Sequence, residues 1–241
     1  MNGAAYTEEE LLAVTMARLL GDSRHVAVGA LSPLPATAAL LARELAPGLR
    51  VTILGSRHHN PFTDGGRELF DCAAQGRIDT FFLSGVQIDG QANINLVGTG
   101  DYAKPTKRFP GSFGSAYLYS LVKTVILFKP EHTPRVLVPK VEFVSAAGVS
   151  PPNEYRPGGP RHLVTGRALF DFAAGRFVLR NVMPGQTVEE IVRETGFDFD
   201  AEVVGETPPP SATELTLLRG RVREAVADTY PRFAARAFGG R

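Results

Sequence analysis

The sequence predicts an α/β fold with a largely parallel sheet flanked by helices. In its first half, short apolar runs alternate with helical stretches, the order that joins parallel strands through helical crossovers. Several runs are apolar throughout rather than alternating, as in strands covered on both faces. The length of 241 residues is enough for one domain with a sizeable core, and residues 1–241 read as a single domain.

The elements follow in order. Thr7 with Glu10 forms a capping-box pattern ahead of Leu11, Leu12, Val14, Leu19 and Leu20, predicting a first helix. A strand at 26–30 is followed by a helix at 36–45, ended by Pro47-Gly48, and a strand at 49–54. Cys72 lies in the apolar helical stretch Phe70-Asp71-Cys72-Ala73-Ala74 and reads as a buried inert thiol. Further strands are expected at 80–83, 124–128, 136–138, 141–144, 163–164, 168–172 and 176–179, the later ones richer in hairpins. Thr187 with Glu190, and Ser211 with Glu214, repeat the capping box before apolar residues. Residues 150–160 (SPPNEYRPGGP) read as a long loop, and 205–210 (GETPPP) as a break before a terminal helix.

Composition excludes several classes. Lys+Arg number 26 and Asp+Glu 25, a net charge of +1 without the basic excess of a nucleic-acid or membrane-surface protein. Hydrophobic residues at 44% and charged residues at 21% argue against extensive disorder. One cysteine excludes an intrachain disulfide and a Cys-rich zinc site, and no metal ligands are nominated. The acidic N-terminus lacks a signal-peptide pattern, and no run of about 20 apolar residues exists to span a bilayer. A reducing cytoplasm is the expected setting.

The informative stretch is GVQIDGQANINLVGTGDYAKPTKRFPGSFG, residues 85–114. It reads as a strand end, the Asp89-Gly90 turn, a short strand and a polar loop. Gly98, Gly100, Pro105, Pro110, Gly111 and Gly114 are expected to keep that loop out of regular structure. Loops at the carboxyl ends of parallel strands are where α/β proteins place their sites. Lys104, Lys107 and Arg108 can hold an anion, or form a solvated basic turn.

These residues carry a resemblance. Gly85 to Asp89, Asn93-Ile94-Asn95, Gly100-Asp101-Tyr102, Pro105, Arg108 and Gly111-Ser112 resemble the class I CoA-transferase β-subunit pattern, best the small subunit of glutaconate CoA-transferase. Lys140 to Ser145 and Thr195 to Asp200 (TGFDFD) resemble later segments of that family, so the likeness covers most of the chain. The resemblance implies a three-layer fold, a homologous α subunit in an α2β2 assembly, and an interfacial site for an acyl-CoA thioester. No cofactor is implied beyond coenzyme A as part of the substrate.

One position departs from the family. A glutamate after the second strand attacks the thioester in the transferases. Here the strand runs into Gly55-Ser56-Arg57-His58-His59-Asn60, and no carboxylate occurs from Val51 to Thr63. A serine ester is too stable to return the acyl group to CoA, and unassisted serine is a weak nucleophile. Transfer by the usual route is expected to be lost. The departure resembles the family's 3-methylglutaconyl-CoA decarboxylase branch, which carries cysteine at this position. Ser56 in its place raises the expectation of a weakened site, natural or engineered, because serine has a much higher pKa. The alternatives are a transferase or thioester hydrolase using a carboxylate of the partner, and a non-catalytic CoA-binding subunit.

The resemblance and position nominate Ser56, His58 and His59 as catalytic, and Gly55, Arg57, Gln87, Asn95, Lys104, Arg108, Gly111, Ser112, Phe113 and Gly114 as substrate- or CoA-binding. Each has an ordinary alternative. Ser56 can be a plain turn serine. Neighbouring His58 and His59 point opposite ways in an extended loop, so at most one faces a substrate. Arg57 and Arg108 can pair with Asp64, Glu68 or Asp101, whereas Asp101 and Tyr102 read as structural. Phe113 replaces a family glycine, and either narrows the pocket or serves as a core or interface side chain.

Overall fold

The computed structural model describes residues 6–201 and 203–238; the first five residues of the acidic N-terminus lie outside them. In chain order the elements are α1 (Glu8–Arg18), β1 (His25–Val28), α2 (Pro33–Leu45), β2 (Arg50–Ile53), α3 (Gly65–Ala74) and β3 (Thr80–Leu83). Two hairpins follow, β4 (Gln87–Ile88) with β5 (Ile94–Asn95) and β6 (Gly98–Gly100) with β7 (Pro105–Arg108). Then come α4 (Ser115–Leu121), β8 (Thr124–Lys129), β9 (Pro160–Thr165), β10 (Ala168–Ala173), β11 (Arg176–Val182), α5 (Val188–Glu194) and β12 (Gly205–Glu206). The chain ends in α6 (Ala212–Leu217), α7 (Arg223–Thr229) and α8 (Pro231–Phe238), with a π-helical turn at Leu218–Val222 kinked at Gly220.

Described residues among 6–65, 78–82 and 208–238 form one compact unit. Its strands are parallel with β1 in the middle: Val26 faces Val51 on one side and Thr80 on the other. β1 is buried along its whole length, which explains why His25-Val26-Ala27-Val28 shows no polar alternation. His25 is tolerated because its Nε2 bonds Thr52 Oγ1 at 2.9 Å. Helix α2 packs on α1 and on the β1–β2 pair, and its small Ala36, Ala38 and Ala39 are fully buried. It begins earlier than expected because Pro33, lacking an N–H, fits the first helical position after Ser32.

Residues 66–77 and 83–207 form the second unit. There β8 and β9 are parallel, β9–β10–β11 is an antiparallel meander, and β12 joins β11 in parallel. The rings of Phe170, Phe172, Phe177 and Phe197 form the centre of its aromatic core, with centroids 5.0–5.9 Å apart.

All three capping boxes form with both reciprocal bonds: Thr7 with Glu10, Thr187 with Glu190 and Ser211 with Glu214. Two expected strands do not form. Residues 136–138 and 141–144 flank Pro139 and make only an isolated bridge, Leu137 to Ile88; beyond it, Val141 and Glu142 spend their N–H groups on the Asp89 and Gln87 side chains. The expected irregular loop after Gly98 is instead the β6–β7 hairpin. Its glycines serve close approach: a Cβ on Gly98 would sit 2.6 Å from the Lys107 carbonyl oxygen. Helix α4 was not anticipated in the sequence.

Candidate active site

In the first unit, β2 ends at Ile53 and the chain turns back on itself. Leu54 donates to the Val28 carbonyl (2.9 Å), Ser56 to Ile53 (3.1 Å), and Ile53 N–H to the His59 carbonyl (2.8 Å). Gly55 takes φ +84°, the left-handed region that a side chain resists, with the Ala30 Cβ 3.5 Å from where its own would lie. Ser56 is 6% exposed, and its Oγ accepts the backbone N–H groups of His58 (3.3 Å) and His59 (3.1 Å). The serine therefore has a structural task, closing the turn at the strand's carboxyl end. Its hydroxyl proton remains available to donate.

The two histidines diverge. His58 Nε2 lies 3.4 Å from Asp228 Oδ1 of α7. Arg43 Nη1 of α2 donates to His59 Nδ1 at 3.4 Å. A guanidinium has only donors, so Nδ1 is the unprotonated nitrogen and Nε2 carries the proton. Burial, then the Arg43 charge, hold His59 below its ordinary pKa, so its ring is neutral at pH 7. Arg57 is exposed.

In the second unit, polar residues of the β4–β5 hairpin lock one another. Gln87 Oε1 accepts from Asn95 Nδ2 (2.8 Å) and from the Glu142 N–H (3.1 Å), while Gln87 Nε2 donates to Glu142 Oε1 (2.6 Å). The other Glu142 oxygen takes the Gly100 N–H. Asn95 is fully buried; it also bonds the Gly98 carbonyl and accepts from Val97 and Gly98. The Gln87 amide orientation is thus fixed, with one N–H uncommitted among the described residues. Asp89 performs the same task at the turn, accepting the N–H groups of Gln91, Asn93 and Val141.

Arg108 lies over the Tyr102 ring, 5.4 Å from its centroid, and Tyr102 stacks on Phe143 at 5.1 Å. Asp101 accepts the Ala103 N–H, in keeping with a structural role. Lys104 is exposed at the turn before β7. Gly111 adopts φ +97°, Ser112 accepts the Ser115 N–H, and Gly114 caps α4. Phe113 is not a core residue. It is 87% exposed at a strained φ of +33°, with its ring 5.5 Å from Phe70. Cys72 is a buried free thiol.

Sequence reasoning missed Glu142, Asp89, Arg43 and Asp228 as partners of nominated residues. Gln87, Asp89 and Asn95, polar positions between apolar neighbours, gave a local signal; Glu142 gave none because it sits 55 positions from Gln87.

The sequence model of the Coenzyme A transferase family matches residues 56–194, more than half of the chain. The chain belongs to this family. It is 26% identical to one of the subunits of glutaconate CoA-transferase from Acidaminococcus fermentans over 249 residues, covering 90% of this chain and 92% of that one. The crystal structure of that organism's glutaconate CoA-transferase superposes with a TM-score of 0.79 at 24% identity over 90% and 94% of the chains, a likeness of fold. The decarboxylase AibA/AibB matches with a TM-score of 0.76 at 25% identity, covering 97% and 99%. IpdAB of Rhodococcus jostii RHA1 matches with 0.77 at 26%, covering 90% and 94%. The expected CoA-transferase-like architecture, a mostly parallel sheet with flanking helices, is therefore the observed one. These homologues are named as subunits or two-component proteins, so the family pattern around this chain is heteromeric. No helix among the described residues is long and apolar enough to cross a membrane.

Proposed function

We propose that this chain is the small subunit of a heteromeric enzyme that decarboxylates 3-methylglutaconyl-CoA to 3,3-dimethylacrylyl-CoA, on the way to isovaleryl-CoA. Its partner would be a homologous α-type subunit in an α2β2 assembly in the cytoplasm. The observation that carries this reading is the end of β2. No carboxylate lies between Val51 and Thr63, and the position is filled by buried Ser56. Coenzyme A transfer needs a carboxylate there, because an acyl anhydride and a glutamyl thioester are close in energy and both reactive. Decarboxylation does not.

The chemistry asks little of the protein. The free carboxylate is conjugated through the double bond to the thioester carbonyl. When the C–CO₂ bond breaks, its electron pair moves into a dienolate with charge on the thioester oxygen. The thioester is itself the electron sink, so the reading requires no metal or organic cofactor. Three tasks remain: donors at that oxygen, alignment of the breaking bond with the π system, and an acid to return a proton to carbon. The uncommitted N–H of Gln87 and the backbone of the 111–114 loop are the candidate donors. His59, neutral with its proton on Nε2, and exposed His58 are the candidate acids. Phe113 would exclude water from the acyl group. Arg57, Lys104 and Arg108 would hold the CoA phosphates. The AibA/AibB likeness supports this reading.

The test is co-expression with the α-type partner, incubation with 3-methylglutaconyl-CoA, and mass spectrometry of the thioesters, with Ser56→Cys in parallel. The expected product is lighter by one CO₂ and keeps CoA, with faster turnover in the Cys form. A second reading is favoured by the likeness to the glutaconate CoA-transferase small chain over nearly the whole sequence. Free CoA, or CoA moved to added acetate, would establish that reading and place the reacting carboxylate on the partner. Binding of the thioester without turnover in either form would make the chain a non-catalytic CoA-binding subunit.

A further inference from the structure

The second unit contains a cavity of about 400 Å³ that borders Gln87. That volume lies in the range of small-ligand pockets, roughly 300–1,000 Å³. Its lining mixes apolar Val86, Val136 and Phe109 with five charged side chains, three of them cationic.

The two acids of the cavity are already committed. Glu131 is held by Arg135 through two 2.8 Å bonds and accepts the Thr133 hydroxyl at 2.8 Å. Glu142 gives one oxygen to Gln87 and the other to the Gly100 N–H. The two lysines are not matched in this way. Lys129, the last residue of β8, is half-buried, and no carboxylate among the described residues lies within ion-pair distance of it. Burial holds its ammonium below the ordinary value. Lys107 of β7 places its Nζ 5.2 Å from the Phe109 ring centroid and likewise lacks a carboxylate partner among the described residues. Lys107 is exposed, whereas Lys129 is partly desolvated; the Glu131 charge, already engaged by Arg135, offsets only part of that cost, and an incoming anion between the two ammonium groups relieves the rest.

We propose that this cavity is a carboxylate-recognition subsite. In it Lys129 and Lys107 hold the free carboxylate of a short dicarboxylic acyl chain, whose stem lies against Val86, Val136 and Phe109. The apolar walls favour this over a strongly hydrated phosphate. That the acyl chain is carried on CoA rests on the function proposed above; the charge of the cavity does not. Lys129 and Lys107 are then specificity residues. Ion pairing stabilises the bound carboxylate, whose charge is lost as CO₂ forms, so removing either lysine should raise KM without lowering kcat.

The experiment compares glutaryl-CoA with valeryl-CoA, the same five-carbon thioester ending in methyl, by calorimetry on the full chain in complex with its α-type partner. Glutaryl-CoA is expected to bind about tenfold tighter, as a charge-assisted bond provides. The preference should fall toward unity in Lys129→Met and Lys107→Met and survive in part in Lys129→Arg. Equal wild-type affinities, or a preference untouched by both Met variants, would overturn the proposal. If neither thioester binds, the acyl-CoA reading fails and free glutarate decides the subsite. Glutarate binding that raises the Lys129 pKa by NMR and vanishes in Lys129→Met upholds it; no glutarate binding sinks it. Competition by adenosine 3′,5′-bisphosphate, lost in Lys129→Met, would make the site a phosphate pocket and also overturn it.

Discussion

At the scale of single residues, Ser56 joins two tasks that sequence alone cannot separate. Its Oγ accepts two N–H groups from the loop that follows β2. Replacing it with alanine leaves those donors without a protein partner. Because the loop is only partly buried, water recovers some of the loss, and Ser56→Ala is expected to lower stability by about 1 kcal/mol. Urea denaturation measures it, and an unchanged midpoint would show that the turn holds itself. Sulfur is a weak acceptor, so Ser56→Cys should fall between serine and alanine. Any gain in decarboxylation by the Cys form would then come despite a slightly weakened turn. The strand end, the glycine before Ser56 and the missing carboxylate were legible in the residues themselves. The Arg43 and Asp228 partners of the histidines were not, because they come from helices remote in sequence.

At the scale of elements, local signals were read well and long-range ones poorly. The capping boxes are four-residue patterns, and each formed as written. The 136–144 segment misled because its β-branched residues mimic strands, whereas its N–H groups are claimed by side chains of a distant hairpin. His132 is a similar long-range device, and it was invisible in sequence. Buried at 3% exposure, it bonds Thr165 of β9 at 2.7 Å and Thr195, just past α5, at 3.0 Å. Burial, with a smaller contribution from Arg167, lowers its pKa from 6.5 to about 4. The unfolded chain therefore takes up this proton first as pH falls. The stability tied to His132 is intact above pH 6.5, declines between 6.5 and about 4, and changes no further below. The whole window is worth about 3 kcal/mol. In His132→Asn, unfolding free energies from pH 7 to 4.5 should show a shallower slope than wild type, by up to about 1.4 kcal/mol per pH unit. Parallel slopes would mean that the ring is hydrated and charged in the folded protein.

At the scale of the whole molecule, the near-balance of charge conceals an uneven use of it. Within the first unit, α1 is tied to the C-terminal helices by three ion pairs: Arg18–Glu214 at 2.7 Å, Glu10–Arg219 at 2.6 Å and Glu9–Arg236 at 3.2 Å. They are not equivalent. The Glu10 side chain is 2% exposed, whereas Glu9 is 30% and Arg236 68% exposed. An exposed pair contributes about 0–1 kcal/mol and is screened by salt. Removing the arginine from a buried carboxylate costs several kcal/mol when both groups are dry, and for Glu10 the Thr7 N–H at 2.9 Å offsets part of that loss. Arg219 is itself 48% exposed, which brings the expected cost of Arg219→Met down to about 2 kcal/mol. Methionine keeps the apolar stem, so the comparison isolates the charge. Arg236→Met should cost less than about 1 kcal/mol. The two should also respond differently to salt. At about 1 M, where the screening length is about 3 Å, the Arg236 effect should vanish and most of the Arg219 effect persist. Urea midpoints of both variants at low and high salt test this. If the Arg219 loss were also erased by salt, Glu10 would be reached by water, and Arg18–Glu214 would be the remaining ion pair of the three with a mostly buried carboxylate.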